Sequence, residues 1–562
     1  MNKPGCLISV ICWLLTIDLA QAQEPIRLED VTHTAGVTFR HFSGGTGKHF
    51  IVETVASGLA TFDYDDDGLI DIYLLSGAPL QDVNASPKPT CKLFRNLGGF
   101  KFTDVTKQAG VGESEFALGV AVGDFDNDGD ADLFLNNFGP CVLLENNGDG
   151  TFDRRILVPP SPTSPVGAGI SLLDIDSDGQ LDAYFARYVK FSFDQGVNRT
   201  LFGIPSAPGP KDYEPDKHLL LRNDRMGGFH DISDASGISA KAGPGMGTVA
   251  FDFDADRDTD IFVCNDSAAN FLFDNKGNST FEELAVLVGV AYDFAGAQQA
   301  SMGVDVGDFD GDGLSDLVTT SFIDELPALY KNSGLGYFDD VAAANGLGIA
   351  SRNVTWGVGF GDFDNDSWPD LFIASGHLIA GSSRLNDTEK FAAPNRVFRN
   401  LQGTRFIDVS QQAGSAAEAV QVSRGVAIDD LDNDGAVDIV VLNLDDKPQI
   451  IRNASEQTRD PKDPISANFL QLTLSGTHCN RDAVGSQVVL HIGDRTLVQE
   501  LVAGRGYQSH FGTRLTFGLG TIGLVDDIEV RWHAGQDQHF GPAKANQHLQ
   551  LIEMHDQPIS IR

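Results

Sequence analysis

The sequence predicts an all-β protein: a seven-bladed β-propeller closed by an N-terminal strand, followed by a small C-terminal β sandwich or barrel. Three observations lead to this prediction. An Asp-rich segment recurs seven times along the 562 residues. A strand that is missing from the last repeat is found instead near the N-terminus, which indicates that the repeats close into a ring. The C-terminal segment then changes to short alternating apolar and polar runs, which are typical of half-buried strands.

The recurring segment is a nine-residue loop with Asp at positions 1, 3, 5 and 9. A short apolar stretch typical of a strand follows each copy. We number these Asp loops 1 to 7 along the chain. Their aspartates are Asp63, Asp65, Asp67 and Asp71; Asp124, Asp126, Asp128 and Asp132; Asp174, Asp176, Asp178 and Asp182; Asp252, Asp254, Asp256 and Asp260; Asp308, Asp310, Asp312 and Asp316; Asp362, Asp364, Asp366 and Asp370; and Asp430, Asp432, Asp434 and Asp438.

Two further elements accompany the Asp loops. One is an apolar pair followed by any residue and Asn, from residues 93–96 in the first repeat to 450–453 in the last. The other is a Phe-x-Asp-Val-like strand leading to Gly, as in residues 102–105. The last repeat lacks this strand, whereas an extra copy at residues 28–31 precedes the first Asp loop. We therefore expect the N-terminal strand to complete the last blade, because closure removes the exposed strand edges of an open array.

The Asp loops predict calcium binding. Four carboxylates on one short loop repel each other, and their pKa values must rise unless a cation neutralises them. Oxygen donors in number, without His or Cys, favour Ca²⁺ over zinc or copper. We predict up to seven sites, in which positions 1, 3, 5 and 9 offer carboxylates and position 7 a backbone carbonyl. The alternative to metal binding is that the loops are solvated Asp-rich turns. Turn formation alone does not require four acidic residues at fixed spacing, so we favour calcium binding.

Two details of the loops refine this prediction. An EF-hand needs Glu at position 12, and no loop has an acidic residue there. Gly at position 6 permits a tight turn, but Arg257 replaces it in loop 4 and Ser367 in loop 6. A non-Gly residue in a left-handed conformation costs about 1 kcal/mol, so we expect these two sites to be weaker or reshaped.

Charge and the N-terminus indicate the compartment. The 79 acidic and 40 basic residues give a net charge of -39, which argues against binding to nucleic acid or anionic lipid. Lys3, an apolar run at 7–17 and a small-residue motif at 20–22 predict a signal peptide over residues 1–22. No other run is long and apolar enough for a transmembrane segment. We expect a monomeric protein that is secreted, periplasmic or at the cell surface.

The remaining chain divides into three parts. Residues 23–454 form the predicted propeller, and its longest insertion, about 186–217, is expected on one face of the ring. Residues 455–466 read as a polar linker. Residues 467–562 form the C-terminal domain, with strands predicted at 469–474, 488–492, 497–502, 515–519, 528–532 and 549–552. Cys91 and Cys141 occupy matching places in consecutive repeats, so a disulfide between them is one possible arrangement in an oxidising compartment.

The chain resembles a known family in both parts. The Asp loops look like the integrin-type FG-GAP repeat, also called VCBS. The C-terminal segment, with Asn480-Arg481-Asp482, Gly504-x-Gly506-Tyr507-x-Ser509 and Val530-x-Trp532, resembles the ASPIC/UnbV domain. The combination is similar to secreted bacterial propellers and to the vertebrate cartilage acidic proteins. The resemblance implies a seven-bladed propeller with calcium loops, and it implies little about activity.

No nucleophile, zinc-protease, phosphate-loop or dinucleotide motif appears in the sequence. Each of the isolated candidates has a structural alternative. His377 could project into the central channel or pack structurally; Arg481 and Asp482 could clamp a ligand or form an ion pair in a turn; Tyr507 and His510 could stack on a sugar or pack in a core; Glu53 could be an acid catalyst or a hydrogen-bond acceptor.

Three functions therefore remain open. The first, which we favour, is a calcium-dependent extracellular module that binds a glycan or protein. The second is an enzyme that uses the propeller channel or the 186–217 insertion, since propeller enzymes gather site residues from separate blades. The third is a structural protein of the cell envelope or extracellular matrix. The first is favoured because the predicted metal loops account for the acidic residues, and no group of residues suited to catalysis remains outside them.

Overall fold

A computed structural model describes residues 26–48, 50–81, 83–160, 165–195, 199–201, 204–206, 208–378, 391–455 and 467–561. The predicted signal peptide and all but the first residue of the predicted linker lie outside these residues. Within them the protein is nearly all-β. No helix in this described part is both long and apolar enough to cross a bilayer.

The repeat region of the described chain folds into seven units of four antiparallel strands, one for each Asp loop, which we call sheets; units 2 and 3 are continuous, and a short fifth strand pairs with unit 4. We number them as the loops. The strands are Leu59–Phe62, Asp71–Leu74, Lys92–Asn96 and Phe102–Asp104 in sheet 1; Phe116–Gly123, Asp132–Phe138, Cys141–Asn146 and Phe152–Val158 in sheet 2; Pro165–Leu173, Asp182–Lys190, Leu219–Asn223 and Phe229–Asp231 in sheet 3; Gly245–Phe251, Asp260–Ala268, Phe271–Asn275 and Phe281–Glu283 in sheet 4; Val304–Gly307, Asp316–Thr319, Leu329–Asn332 and Phe338–Asp340 in sheet 5; Thr355–Gly361, Asp370–Ser375, Arg396–Asn400 and Phe406–Asp408 in sheet 6; and Ser423–Asp429, Asp438–Asn443, Gln449–Asn453 and Leu28–Asp30 in sheet 7.

The two inner strands of each sheet are almost entirely buried, which explains their apolar composition. Each Asp loop joins the first strand to the second, and position 9 opens the second strand. The third strand ends at the repeated Asn. Sheets 2 and 3 are also joined to each other through a pairing of Val166 with Phe138.

The N-terminal strand pairs with the last repeat, as the order of elements predicts. Leu28 lies opposite Asn453 and Asp30 opposite Ile451 in antiparallel register. The first strands of consecutive sheets contact one another in order from sheet 1 to sheet 7, and sheet 7 contacts sheet 1. The N-terminal strand therefore supplies the fourth strand of a sheet whose other three strands come from the end of the repeat region.

Short elements connect the sheets. The α-helices are Thr32–Ala35, Ile51–Thr54, Thr106–Ala109, Ala285–Val288 and Ser415–Glu418; the 3₁₀ helices are Phe193–Gln195, Pro210–Asp212, Ile238–Ala240 and Leu347–Arg352. Minor strand pairs are Arg199–Leu201 with Ile204–Ser206, Gln299–Ala300 with Asp260–Ala268, and Ala393–Pro394 with Val420–Gln421. Several outer strands run into one helical turn that ends at a left-handed Gly, such as Gly110.

The C-terminal part contains all six predicted strands and several short ones. One sheet has the order Leu515–Gly520, Asn468–Ser475, Gln547–Ile552, Ile559–Ile561. The other has the order Arg495–Glu500, Gln487–Ile492, Asp527–Arg531, Asp537–His539, and a separate pair joins Leu524–Val525 to Ala543–Lys544. Buried residues from both sheets, including Leu472, Leu490 and Trp532, share one apolar cluster.

A loop of this C-terminal part, residues 503–512, lies among the first strands of the seven sheets, and we call it the plug. Its backbone hydrogen-bonds to the first strands of sheets 1, 2, 3 and 5, for example through the His510 N–H to Leu59 O at 3.0 Å and the Gly506 N–H to Val304 O at 2.7 Å. The Gly512 N–H donates to Asp429 of sheet 7. Gly506 also packs closely against the backbones of sheets 4 and 6.

Candidate metal centre

The Asp loops share one hydrogen-bond pattern that begins at position 1. In loop 1, Asp63 Oδ2 accepts the N–H of Gly68 at 2.7 Å, and its Oδ1 accepts the N–H of Asp67 at 3.1 Å. The same two bonds form in loops 2, 3, 5, 6 and 7. In loop 4 the Arg257 N–H donates to Asp252 Oδ2. Position 1 therefore organises the turn by capping the amides of positions 5 and 6.

Position 9 ties each loop to its sheet. Asp71 accepts the N–H of Tyr64 at 3.1 Å and the N–H of Asn96 at 2.6 Å. Equivalent pairs of bonds occur in all seven repeats. The bonds to N–H groups orient the carboxylate, so position 9 has a fixed place within the cluster.

Backbone conformation explains the residue preferences of the turn. Position 6 has a positive φ in every loop, 84° at Gly68 and 91° at Gly435, and also 75° at Arg257 and 79° at Ser367. The tight turn predicted for position 6 is therefore kept in the two loops without Gly. Position 4 has a positive φ as well, for instance 61° at Asn127, a requirement that our reading of the sequence missed.

Carboxylate oxygens of positions 1, 3 and 9 come within 4.8 Å of one another in each of loops 1 to 5. Position 5 is not part of these groups. Its carboxylate instead accepts the N–H of position 7, as Asp67 Oδ1 does from Leu69 at 3.0 Å. The sequence predicted the backbone carbonyl of position 7 as a calcium ligand. The hydrogen bond from its N–H to the position-5 carboxylate fixes the residue that carries this carbonyl.

Unsatisfied oxygens show that these clusters fit a hard cation. Buried Oδ1 atoms of Asp65, Asp176, Asp310 and Asp432 accept no hydrogen bond from the described residues, and neither does Oδ1 of Asp252 in loop 4. The side chain of Asp432 is only 9% exposed. A buried carboxylate oxygen without a donor is costly, and a calcium ion would satisfy it. Calcium, when bound, would supply positive charge that holds the three carboxylates together.

The electrostatics of the clusters support the same fit. Burial raises the pKa of Asp71 to about 8 and that of Asp132 to about 9, and the neighbouring carboxylates at positions 1 and 3 add to the rise. Burial is also the main cause that raises the pKa of Asp63 to about 6. Protonation and cation binding are the two ways to relieve this repulsion.

The residue before the repeated Asn divides the loops into two groups. It is basic in five repeats and contacts positions 3 or 5 through Arg95, Arg222, Lys331, Arg399 and Arg452. In loops 2 and 4 it is acidic, Glu145 and Asp274. Burial is the main cause that raises the pKa of Asp126 and Asp254, and these two residues add to the rise. Loops 2 and 4 therefore place a fifth carboxylate close to the cluster.

The C-terminal domain covers the face of the ring that carries the Asp loops. Asp482 Oδ2 accepts the N–H of Asp124 at 2.6 Å, and Glu500 Oε1 accepts the N–H of Asp252 at 3.0 Å. Gln471 donates to Asp430 Oδ2 at 2.7 Å. These three bonds all reach position 1 of a loop, and none of them was expected from the sequence.

Position 4 and position 6 complete this contact. The Arg481 N–H donates to Asn127 Oδ1 at 2.7 Å in loop 2. Arg514 donates to Asn433 Oδ1 in loop 7 at 2.5 Å and to Gly68 O in loop 1 at 3.1 Å. Arg257, the residue that replaces Gly in loop 4, pairs with Asp537 at 3.0 Å.

The candidates from the C-terminal segment have structural roles. Arg481 and Asp482 lie in a turn that attaches the domain to loop 2, and the Arg481 charge acts on the Asp482 carboxylate, as the structural alternative expected. Tyr507 and His510 are fully buried in the plug, where the Tyr507 ring meets Trp356 edge-on with centroids 5.1 Å apart. Neither ring is accessible for stacking on a sugar.

The remaining candidates are also structural. His377 is 4% exposed, its ring lies 5.8 Å from that of Phe322, and burial lowers its pKa to about 4. Glu53 accepts hydrogen bonds from Thr46 and from the Phe50 N–H, which is the acceptor role expected as the alternative.

The plug and the described residues of the insertion both pack against the ring. The plug fills the axis from one side. Phe191, Phe193 and Tyr213 of the insertion region pack with Phe50 and Phe138 in an aromatic cluster, and residues 196–198, 202–203 and 207 lie outside the described part.

Cys91 and Cys141 are separate buried thiols, which corrects the disulfide considered above. Cys91 belongs to the apolar cluster between sheets 1 and 2, whereas Cys141 belongs to that between sheets 2 and 3. The Cys141 sulfur also lies 3.2 Å from Arg187 Nη2. Matching places in neighbouring sheets thus face different layers.

Comparison with known families and proteins agrees with the repeat pattern. The FG-GAP-like repeat family matches residues 63–135, 125–185 and 252–319, and the ASPIC and UnbV family matches residues 476–558. The chain is 24% identical to cartilage acidic protein 1 of Mus musculus over 490 residues, 75% of this chain and 71% of that protein. It is 22% identical to cartilage acidic protein 1 of Homo sapiens over 462 residues, 78% of this chain and 64% of that protein.

Solved structures give looser alignments. An Agrocybe aegerita lectin that recognises non-reducing terminal N-acetylglucosamine aligns with a TM-score of 0.39 at 15% identity, covering 68% of this chain and 88% of the lectin. A nidogen/laminin complex aligns with a TM-score of 0.28 at 13% identity, covering 56% of this chain and 89% of the aligned one. The chain therefore contains FG-GAP-like repeats and an ASPIC and UnbV domain, and it is similar to cartilage acidic protein 1.

Proposed function

We propose that this protein is an exported, calcium-loaded seven-bladed β-propeller that acts as an extracellular binding module for a glycan or a protein. In this proposal residues 1–22 are the signal peptide, 23–454 the propeller, 455–466 the linker and 467–562 the C-terminal β domain. The mature protein is a monomer that is secreted, periplasmic or held at the cell surface. The curated relatives are named for cartilage, an extracellular tissue, and are called acidic, as this chain is.

The observation that carries the proposal is the sevenfold repetition of one carboxylate cluster around a filled axis. The clusters use positions 1, 3, 5 and 9 in the calcium sites we propose, with 1, 3 and 9 closest together. The plug occupies the place where a propeller enzyme could hold a substrate, and the acidic candidates outside the loops serve as hydrogen-bond acceptors. A rigid ring held by ions presents a broad outer surface suited to binding.

The experiment that tests this proposal is retention on immobilised extracellular material. Purified residues 23–562 are passed over polysaccharide and protein fractions in about 10 mM Ca²⁺, roughly ten times or more the dissociation constants of extracellular calcium modules, and then eluted with EGTA. We expect one fraction to retain the protein and EGTA to release it. Absence of retention by every fraction, with the protein folded and calcium bound, would contradict the binding function and leave the calcium sites intact.

A further inference from the structure

We propose that calcium in the Asp loops and the seating of the C-terminal domain are thermodynamically linked, so that loss of calcium releases the plug from the axis of the ring. This inference rests on the calcium binding proposed above and goes beyond it. It assigns the C-terminal domain a part in every site's surroundings and gives the loops a second role.

Contacts between the C-terminal domain and the ring lie at the Asp loops. The C-terminal domain does not touch the ring at random: it meets position 1 in loops 2, 4 and 7 through Asp482, Glu500 and Gln471. The His533 Nε2 lies 3.1 Å from the backbone oxygen of Asp174, position 1 of loop 3. Position 1 is the residue whose carboxylate caps the turn and belongs to the metal cluster.

The remaining loops are contacted through their turns. Arg514 joins loops 7 and 1 through Asn433 and Gly68. The Gly520 N–H donates to Asn365 O in loop 6 at 2.7 Å, and Ser315, at position 8 of loop 5, donates to Glu500. The shape of all seven turns therefore enters the fit between the two parts of the chain.

Without a cation, the turns carry several negative charges close together. The three closest carboxylates of a loop lie within 4.8 Å of one another, and several of their buried oxygens have no hydrogen-bond donor among the described residues. The Asp432 side chain is 91% buried, and its Oδ1 has no such donor. Repulsion between such groups opens a turn unless a cation bridges them or protons neutralise them. An opened turn moves the amides, side chains and carbonyls to which the C-terminal domain is bonded.

The plug is connected directly to the C-terminal domain. The plug runs from residue 503 to 512 and continues directly into the strand Leu515–Gly520 of the C-terminal domain. Its Gly504 fits against sheet 3 so closely that a Cβ there would lie 1.9 Å from Ile170 O. A domain displaced from the loops cannot keep this register, so the plug is held only while the loops keep their shape.

Linkage is reciprocal: if calcium favours the seated plug, the seated plug must favour calcium binding by the same factor. The wild-type test uses the full mature chain and hydrogen exchange with mass spectrometry, in calcium and in EGTA, below the temperature of unfolding. We expect peptides covering residues 503–512 to exchange at least tenfold faster in EGTA, because the Gly506 and His510 N–H groups lose their partners on the ring. The two C-terminal sheets should keep their protection.

The variant test measures the opposite direction. Gly504→Ala places a methyl group against Ile170 O and should unseat the plug. Gly541→Ala is the matched control, since Gly541 also has a positive φ, 74°, but a Cβ there meets no atom within 4 Å. We expect Gly504→Ala to weaken calcium binding at least threefold by calorimetric titration, and Gly541→Ala to bind like the wild type.

The outcomes separate this inference from the calcium proposal. Calcium binding with unchanged exchange of the plug and unchanged affinity in Gly504→Ala would overturn the linkage and keep the calcium sites. Uniform loss of protection in EGTA across ring and C-terminal sheets would show that calcium holds the whole fold, and would also overturn the specific linkage. No calcium binding by the wild type would remove both. The wild-type exchange experiment does not depend on the variant folding.

Discussion

At position 6 of the Asp loops the backbone adopts a left-handed conformation whatever the side chain. Gly68 and Ser367 have φ values of 84° and 79°, although only the first residue is free of strain there. The strain is borne by the rest of the loop, because the N–H of position 6 must point at the carboxylate of position 1. A single backbone angle thus connects the sequence pattern to the geometry of the metal cluster.

This conformation predicts opposite effects for two reciprocal substitutions. Ser367→Gly should raise the free energy of unfolding by about 1 kcal/mol, and Gly68→Ser should lower it by about as much, since a left-handed L-residue costs roughly that amount. A Cβ at Gly68 meets no atom within 4 Å, so its cost is strain alone. Urea unfolding in EGTA measures both; equal stability of Ser367→Gly and wild type would refute the strain.

A second residue-scale prediction concerns pH. Burial, assisted by nearby Arg187, lowers the pKa of His218 to about 3, and its Nδ1 accepts the Arg187 N–H at 3.1 Å. A histidine whose folded pKa is lowered stabilises the fold above its unfolded pKa of 6.5, and this contribution is lost as pH falls towards 3. His218→Asn keeps an acceptor but cannot be protonated in this range.

We therefore expect the stability of wild type to fall more steeply than that of His218→Asn between pH 6.5 and pH 4. The difference in slope should be about 1.4 kcal/mol per pH unit, the value for one proton bound on unfolding. Urea unfolding at several pH values measures it. Parallel pH profiles would show that His218 is protonated in the folded protein.

At the scale of elements, the repeated Asn connects each sheet to the one before it. Asn275 donates to Thr259 O of its own sheet at 3.2 Å and to Ile175 O, in loop 3, at 3.1 Å. The same pair of hydrogen bonds recurs in each sheet. In sheet 1 the second bond reaches back to Leu431 of loop 7. Seven such bridges run once around the ring and join its ends.

Removal of one bridge should weaken the ring measurably. Asn275→Ala leaves two buried carbonyls without donors, and we expect a loss of roughly 1–3 kcal/mol in the free energy of unfolding. Asn278→Ala is the control: Asn278 is exposed and bonds only to Thr280 in its own turn. If the two variants lose stability equally, the bridge between sheets contributes nothing.

At the scale of the whole molecule, calcium should decide thermal stability. With dissociation constants of about 0.1–1 mM, each site stabilises by roughly 0.4–1.4 kcal/mol at about 1 mM calcium. Seven sites together reach several kcal/mol, a large share of a usual stability of about 5–15 kcal/mol. The ions also neutralise part of the net charge of -39.

We therefore expect excess EGTA to lower the melting temperature by roughly 5 °C or more, with recovery on addition of calcium. Differential scanning calorimetry measures the shift. Magnesium, which is smaller and retains its waters, should restore less of the lost stability at equal concentration. A melting temperature unchanged by EGTA would contradict calcium binding by the loops.

Local chemistry was legible in the sequence by itself. The spacing of four Asp residues determined the turns and the carboxylate clusters, because each turn closes on its own amides within nine residues. The missing last strand and the extra first one determined the pairing of Leu28–Asp30 with Gln449–Asn453. Six alternating runs determined the main strands of the C-terminal domain. All of these depend on neighbours in the chain or on the rule that a sheet edge is covered.

Only the tertiary structure decided where these parts meet. Nothing in the spacing around Tyr507 and His510 distinguishes a plug in a core from an exposed loop, because the partners of the whole plug lie in the first strands of seven separate sheets. Arg481 and Asp482 likewise contact residues more than 350 positions away. Such contacts depend on shape and on unpaired backbone groups of both surfaces, which leave no periodic mark in one sequence. The Asp loops were therefore recognisable as candidate metal sites, but their place beneath a second domain was not.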